Sequence, residues 1–204
     1  MLWLFLSITV IAGYLLGNLN GAIFTSKLMH DDVRNHGSGN AGLTNFIRNY
    51  GASKALLVIL VDGGKTVLGC LLGGFLLKNY LGFQEGSAVG GAAVILGHAF
   101  PAFFGFRGGK GILSGLFFAI TVDWRVALII LAVFALAYLP TMYVSLGSVL
   151  ASAAFGIAFG LLHPDSPVII ICGAIVAALA IFLHRQNIVR LCQGKESKTN
   201  LFKK

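Results

Sequence analysis

Charge is what this chain lacks. Aspartate and glutamate together number seven in 204 residues, and all charged types make up 11%, against about 25% in a soluble domain. Hydrophobic residues reach 57% and the mean hydropathy is +0.87. Too few polar side chains are present to cover a sphere in water, so lipid must solvate much of the surface. The same apolar excess excludes disorder. Three cysteines, Cys70, Cys172 and Cys192, are too few for a disulfide-stapled secreted fold, and two of them fall inside apolar runs, where they read as packed thiols. No Cys/His cluster has metal-ligand spacing, and no Gly-x-Ser-x-Gly elbow occurs. No long linker, repeat or low-complexity block interrupts the chain, which reads as one polytopic membrane domain, 1–204.

What is there is a series of seven apolar runs: 2–28, 50–77, 87–106, 112–122, 126–139, 143–162 and 167–183. A span needs about 20 apolar residues, so 112–122 and 126–139 are short. They read as tilted, half-length or re-entrant. The first run has neither a basic leader nor a small-x-small cleavage site and reads as a retained span. Twelve of the 15 basic residues fall in the segments 27–54, 107–110 and 185–204. The last includes Lys203 and Lys204. The positive-inside rule puts these segments in the cytoplasm. The expected fold is an all-α integral membrane protein of about seven transmembrane helices, with the N-terminus outside and a short basic cytoplasmic tail, 185–204. The net charge of +8 then reflects topology, and nucleic acid is not an expected partner. A bacterial inner membrane, with the polar motifs facing the cytoplasm, is the natural setting.

Three polar segments carry chemistry. In His36-Gly-Ser-Gly-Asn-Ala-Gly-Leu-Thr-Asn-Phe-Ile-Arg48, small residues let successive N–H groups converge on an anion. Ser38, Asn40, Thr44 and Asn45 add neutral donors, and Arg48 adds a fork suited to phosphate. On spacing alone this is either a phosphate cradle or a polar loop with one topology arginine. In the second segment, an aromatic run ends a span and Arg107-Gly-Gly-Lys-Gly111 follows. It is not a Walker A loop, because Gly111 stands where the hydroxyl should be. Gly108, Gly109 and Lys110 still offer an anion site before a helix start, or else a basic turn with interfacial Phe anchors. The third segment starts at His184-Arg-Gln-Asn187, whose His and Asn are three apart and share a face if helical. Glu196, the only acid of the tail, is a structural partner for Arg190 or Lys195. Asp62 and Lys65 lie at i and i+3 within an apolar run and can neutralise each other. Ser145 and Ser148 follow Pro140 near the cytoplasmic surface and read as helix-packing serines or site residues. Asp31 and Asp32 read as a solvated loop pair.

Together these segments resemble the bacterial acyl-phosphate:glycerol-3-phosphate acyltransferases. The resemblance is carried by Ser38, Gly39, Asn40, Gly42, Thr44, Asn45 and Arg48. It continues through Gly97, His98, Phe100, Pro101 and Gly108 to Gly111. In the tail it rests on His184, Arg185, Asn187, Ile188, Arg190, Leu191, Gly194 and Glu196. Asp62, Lys65 and the stretch 143–148 recur in that family too. Leu43 replaces its usual Ala. Asn18 and Asn20 depart from its pattern and are assigned nothing. No His is followed five residues later by Asp, so the His-x4-Asp acyltransferase class is not matched.

The resemblance implies a seven-helix fold and transfer of a fatty acyl group from acyl phosphate to the 1-hydroxyl of glycerol 3-phosphate. The products are 1-acyl-glycerol 3-phosphate (lysophosphatidic acid) and phosphate, the first acylation of phospholipid synthesis. The expected catalytic residues are Ser38, Arg48, His184 and Asn187. Substrate-binding residues are expected at Gly39, Asn40, Thr44, Asn45, Gly108, Gly109, Lys110 and Ser145. Ser38, Arg48 and Lys110 would hold the glycerol 3-phosphate, with His184 and Asn187 closing the same pocket; Thr44, Asn45 and Ser145 would meet the acyl phosphate. The donor is already activated, so no covalent nucleophile, cofactor or metal is expected. Membrane lipid is an expected partner, and no obligate protein partner is evident. A membrane carrier for an organic phosphate would share the spans and basic loops, but carriers often show internal repeats with a midplane site, and neither is seen. A polyprenyl-phosphate transferase would need acidic metal ligands that seven scattered acids do not provide.

Overall fold

The computed structural model describes residues 1–199; Lys203 and Lys204 of the expected tail lie outside them. All regular structure among the described residues is helical, with no strand. The helices are α1 (Leu2–Gly17), α2 (Gly21–Leu28), α3 (Leu43–Tyr50), α4 (Ala55–Leu77), α5 (Phe83–Ala99), α6 (Ile112–Val122), α7 (Trp124–Thr141), α8 (Val144–Leu162), α9 (Pro167–Leu183) and α10 (Arg185–Cys192). They form two compact units, Met1–Val122 and the chain from Asp123 onward.

Among the described residues, five stretches are long and apolar enough to cross a membrane: Leu2–Leu28, Ala55–Leu77, Phe83–Phe104, Trp124–Thr141 and Val144–Leu162. A sixth is available if α9 and α10, bent by 54° at their junction, count as one span. Seven crossings were expected, and the shortfall centres on α6. Its 11 residues reach about 16 Å at 1.5 Å per residue, roughly half the hydrocarbon thickness. The other short run is longer than its pattern suggests. Asp123 caps α7 by accepting from Arg125 N at 2.9 Å, and the helix runs 18 residues, through Pro140.

The first unit is built on small residues. Glycines on α4 and α5 let the two backbones approach closely, as helices in lipid do where no bulky side chain intervenes. A methyl placed on Gly90 would strike the Gly69 carbonyl and lie 2.9 Å from Gly69 C. Gly17 of α1 faces Gly97 of α5 in the same way. α5 is the enclosed helix, buried from Gly86 to Ala99 along most of its length.

The first apolar run does not form one unbroken helix. Asn18 and Asn20 interrupt it between α1 and α2. Asn18 Nδ2 turns back to donate to Tyr14 O at 2.7 Å, and Asn20 adopts an extended backbone and caps α2, accepting from Ile23 N at 2.9 Å. A broken helix at membrane depth survives only where protein satisfies the freed carbonyls. Lys65 does so, its Nζ donating to Gly17 O at 3.2 Å and Leu19 O at 2.6 Å.

Below the break lies a separate small core of Ala22, Ile23, Val33, Ala41, Phe46, Ala55 and Val58, flanked by Leu43, Ile47 and Tyr50 of α3. Leu43, Phe46, Ile47 and Tyr50 fall at helical spacing, so α3 lays one apolar stripe on this core. Its other face carries the exposed Arg48 and Asn49.

In the second unit, α7 packs on α8 and α8 on α9. Asp123 Oδ2 ties the start of α7 to the end of α8 through His163 Nε2 at 2.9 Å.

Gly90→Ala should lower the melting temperature in detergent, at a cost of roughly 1–3 kcal/mol for overpacking. Gly64→Ala, where nothing lies within 4 Å, should leave it unchanged or raise it, since alanine is the better helix former. Equal melting temperatures for the two variants would contradict the close packing of α4 and α5.

Candidate active site

The loop before α3 is ordered by one side chain. Asn45 is buried to 3% exposure. Its Nδ2 is shared among the carbonyls of Val33 at 3.1 Å, His36 at 3.0 Å and Asn40 at 3.1 Å. Its Oδ1 accepts from Ser38 N at 3.0 Å and from Asn49 Nδ2 at 3.1 Å. Gly37 turns with φ +57, and a methyl there would collide with Asn45 Oδ1. The loop thus wraps around a buried amide and presents Ser38 and Gly39 outward, with Asn40 and Thr44 half-buried. Asn45 was expected to contact substrate. Its polar atoms are instead taken up by the loop, which suits a positioning role.

The acid pair also departs from expectation. Asp31 and Asp32 do more than sit in solvent: their side chains stay 37% and 21% exposed, and both also brace the loop. Asp31 receives His36 Nε2 at 2.9 Å and Tyr50 OH at 2.9 Å. The bond from His36, then those from Asp32 N and Tyr50, hold its carboxyl below the ordinary carboxylate range. Burial and the Asp31 carboxylate push the Tyr50 hydroxyl up to about 12, so it stays a donor. Asp32 takes Arg34 in a two-pronged pair at 2.9 Å and 2.7 Å, and Arg34 Nη1 reaches on to Phe104 O at 2.9 Å.

That last bond joins the first glycine loop to the second. Phe103 N donates to Asn18 Oδ1 at 3.2 Å, and Asn20 Nδ2 donates to Ala41 O at 3.0 Å. The two asparagines at the break in the first run therefore hold one loop each. The spacing of Asn18 and Asn20 two apart within an apolar run was the available signal, since lipid penalises such residues unless they are bonded. Gly108 and Gly109 lie against the end of α5, with Gly109 N donating to His98 O at 3.1 Å. A methyl on Gly108 would strike His98 O and stand 2.7 Å from Pro101 Cδ. The first unit thus brings Ser38, Gly39, Asn40, Thr44 and Arg48 to the same end as Gly108, Gly109 and Lys110.

The expected Asp62–Lys65 pair is present, with Nζ and Oδ1 2.8 Å apart and both side chains 2% exposed. Asp62 Oδ1 also accepts from Gly21 N at 3.0 Å, and His98 Nδ1 stands 2.9 Å from Lys65 Nζ.

His184, Asn187 and Ser145 belong to the second unit. His184 sits at the bend between α9 and α10, so the His–Asn pair does not share one straight helix. His184 is buried to 4% exposure. Its Nδ1 lies 2.8 Å from Ala180 O, which fixes the proton on Nδ1 and the basic lone pair on Nε2. Asn187 Nδ2 donates to Glu196 Oε1 at 2.7 Å, and Arg190 Nε donates to Glu196 Oε2 at 2.6 Å. Glu196 is thus the structural partner of Arg190, as expected. Burial works against its charge, but the bonds from Asn187 and Arg190 outweigh burial and hold the carboxyl below its ordinary 4.5. Ser145 Oγ is buried with no hydrogen bond of good geometry among the described residues, yet lies close enough to help lower that carboxyl.

An all-helical membrane fold with two glycine loops converging beside cations defines a membrane-embedded protein that handles anions. The comparisons narrow this. The model of the family described as glycerol-3-phosphate acyltransferase matches residues 7–194. The glycerol-3-phosphate acyltransferase of Thermoanaerobacter sp. (strain X514) is 42% identical over 192 residues, covering 94% of each chain. That of Finegoldia magna is 38% identical over 204 residues, covering 97% of this chain and 98% of its own. A crystal structure of PlsY (YgiH), an integral membrane glycerol 3-phosphate acyltransferase, in its glycerol 3-phosphate form, is similar with a TM-score of 0.86. It shares 33% identity over 97% of this chain and 99% of the other. The lysophosphatidic acid form gives 0.81 at 34% identity, covering 96% of each. The chain belongs to the glycerol-3-phosphate acyltransferase family and is an integral membrane protein.

Two outcomes follow from the geometry. Asn45→Ala should cost roughly 1–3 kcal/mol, as buried carbonyls lose their donors, and should abolish activity; a normal melting temperature with normal activity would remove the staple. Glu196→Gln should lower thermal stability near neutral pH. A carboxyl held below its ordinary value stabilises the fold above that value, and the contribution fades as pH falls through the folded one. The gap to the unsubstituted protein should therefore narrow below pH 4.5; a pH-independent gap would contradict the pairing.

Proposed function

We propose that this chain transfers a fatty acyl group from acyl phosphate to the 1-hydroxyl of glycerol 3-phosphate, at the cytoplasmic face of a bacterial inner membrane. The hydroxyl oxygen attacks the acyl carbon, the bond from that carbon to the phosphate oxygen breaks, and inorganic phosphate leaves. The products are 1-acyl-glycerol 3-phosphate and phosphate. The observation that carries the reading is the convergence of two glycine loops within the first unit, where Gly109 meets the Ala41 carbonyl and Arg34 reaches Phe104 O, with Ser38 and Lys110 on the loops and Arg48 on α3. Both substrates bear phosphate, and such loops suit oxyanions.

In this reading Ser38, Arg48 and Lys110 bind the glycerol 3-phosphate, while Gly39, Asn40, Thr44, Gly108 and Gly109 complete the phosphate contacts with backbone and side-chain donors. Asn45 positions the first loop. Ser145 meets the acyl phosphate, and Asn187, held by Glu196, helps to orient substrate. His184 Nε2, or a phosphate oxygen of the substrate, takes the hydroxyl proton. The mixed anhydride is already activated, so alignment and charge stabilisation supply the rate. The chemistry calls for no metal or cofactor. The acyl chain is held by apolar burial, about 0.8 kcal/mol per CH₂. The proposed topology keeps seven crossings, with α6 as a short crossing, an outside N-terminus and a cytoplasmic tail; the bias of basic residues supports it, because it puts the segments on both sides of α6–α9 in the cytoplasm.

Purified protein given palmitoyl phosphate and labelled glycerol 3-phosphate should form the lysophospholipid, whereas acyl-CoA and acyl-carrier-protein thioesters should not serve as donors. Activity with a thioester alone would overturn the donor assignment. Arg48→Ala should abolish acylation and Arg48→Lys should restore it only in part, because a point charge cannot form a bidentate fork. If His184 is the base, His184→Ala should lower kcat by about 10²–10⁴ with little change in KM. Excess EDTA should leave the rate unchanged; loss reversed by Mg²⁺ would contradict a metal-free reaction.

A further inference from the structure

Beneath the two glycine loops lies a buried cluster that the reaction itself does not use. Lys65, Asp62 and His98 are each no more than 3% exposed. Four polar atoms surround the Lys65 ammonium: Leu19 O at 2.6 Å, Asp62 Oδ1 at 2.8 Å, His98 Nδ1 at 2.9 Å and Gly17 O at 3.2 Å. His98 Nδ1 faces this ion pair, standing 3.5 Å from Asp62 Oδ1 as well, so the other ring nitrogen, Nε2, is turned away from it. That nitrogen points at the loops. A methyl built on Gly109 would collide with His98 Nε2 and lie 2.7 Å from Ala41 O. Gly109 of the second loop, Ala41 of the first and the His98 ring therefore converge on one point. Ala41 is itself held by Asn20, which sits beside the carbonyls that Lys65 caps.

We propose that Lys65 and His98 are positioning residues for the acyl transfer. Lys65, neutralised by Asp62 and anchored at the break in the first run, seats the His98 ring as a peg beside the point where the Ala41 carbonyl meets Gly109. The peg fixes the spacing of the two anion-binding loops. This inference rests on the reading above, in which those loops hold the reacting phosphates. A misplacement of about 1 Å between reactants costs roughly 10²-fold in rate, so the peg acts on alignment more than on the binding of either substrate.

The test uses two variants of the full chain in detergent. His98→Gln removes the ring but keeps a polar side chain. The double variant Asp62→Asn/Lys65→Met removes the anchor without leaving a buried charge unpaired. Three quantities are read on each: the stoichiometry and Kd of glycerol 3-phosphate by calorimetry, kcat and KM per binding-competent molecule, and deuterium exchange of peptides covering 37–45 and 105–112. The expected result is a kcat at least tenfold lower with KM for glycerol 3-phosphate changed less than threefold. Exchange should be at least tenfold faster in both loops, with exchange in α5 unchanged. A normal kcat per competent molecule would overturn the proposal, as would unchanged loop exchange or exchange accelerated through every helix alike. Failure of the underlying reading shows differently: the unsubstituted protein would not bind glycerol 3-phosphate, or Arg48→Ala would acylate normally.

Discussion

A lysine ammonium at the break between α1 and α2 is the interaction on which the rest of the first unit depends. The break exposes the Gly17 and Leu19 carbonyls inside a run that lipid surrounds, and Lys65 donates to both. Burying that charge is tolerable only because Asp62 lies 2.8 Å away. An isolated buried cation carries a desolvation penalty of several kcal/mol or more. The same carboxylate accepts from Gly21 N, so one ion pair closes the end of α1, opens α2 and reaches His98.

From this anchor the loops inherit their geometry. Asn18 and Asn20 leave the helix at the break and bind the backbones of Phe103 and Ala41. Asn45 gathers the first loop from inside, and the Asp31 and Asp32 braces fix its outer edge. These polar ties act on top of the small apolar core that buries Val33, Ala41 and Phe46. Polar groups are individually worth about 1 kcal/mol net, but leaving one buried and unpaired costs more. That asymmetry favours one arrangement of each loop. Rigid loops suit the proposed reaction, in which the donor is preactivated and the protein would hold two phosphates in register.

Much of the helical plan was legible from the pattern of apolar runs, because each run bounded by basic or glycine-rich turns became a helix or a helix pair. The i, i+3 spacing of Asp62 and Lys65 announced their bond, and Glu196 found Arg190 as its isolation among cations suggests. Other features were not legible. The asparagines of the first run were assigned nothing, since spacing alone does not say which distant carbonyl an amide will reach. Asn45 looked like a ligand for the same reason: an amide that binds substrate and one that binds its own loop are the same residue in a sequence. That Asp31 is braced as well as solvated was hidden because Tyr50 becomes its neighbour only once α3 lies on its small core. His98 was visible as a motif residue, but its role as a meeting point needs three segments brought together in space.

A shared reaction centre requires both glycine loops on one face of the membrane. Sided labelling with an impermeant maleimide tests this most directly, using single cysteines at the exposed Asn35 and Arg107 in a chain whose own three cysteines are replaced. Both sites should react in inside-out vesicles and stay protected in right-side-out ones. Labelling of one site from each side would contradict the account, because loops on opposite faces cannot serve a common reaction centre.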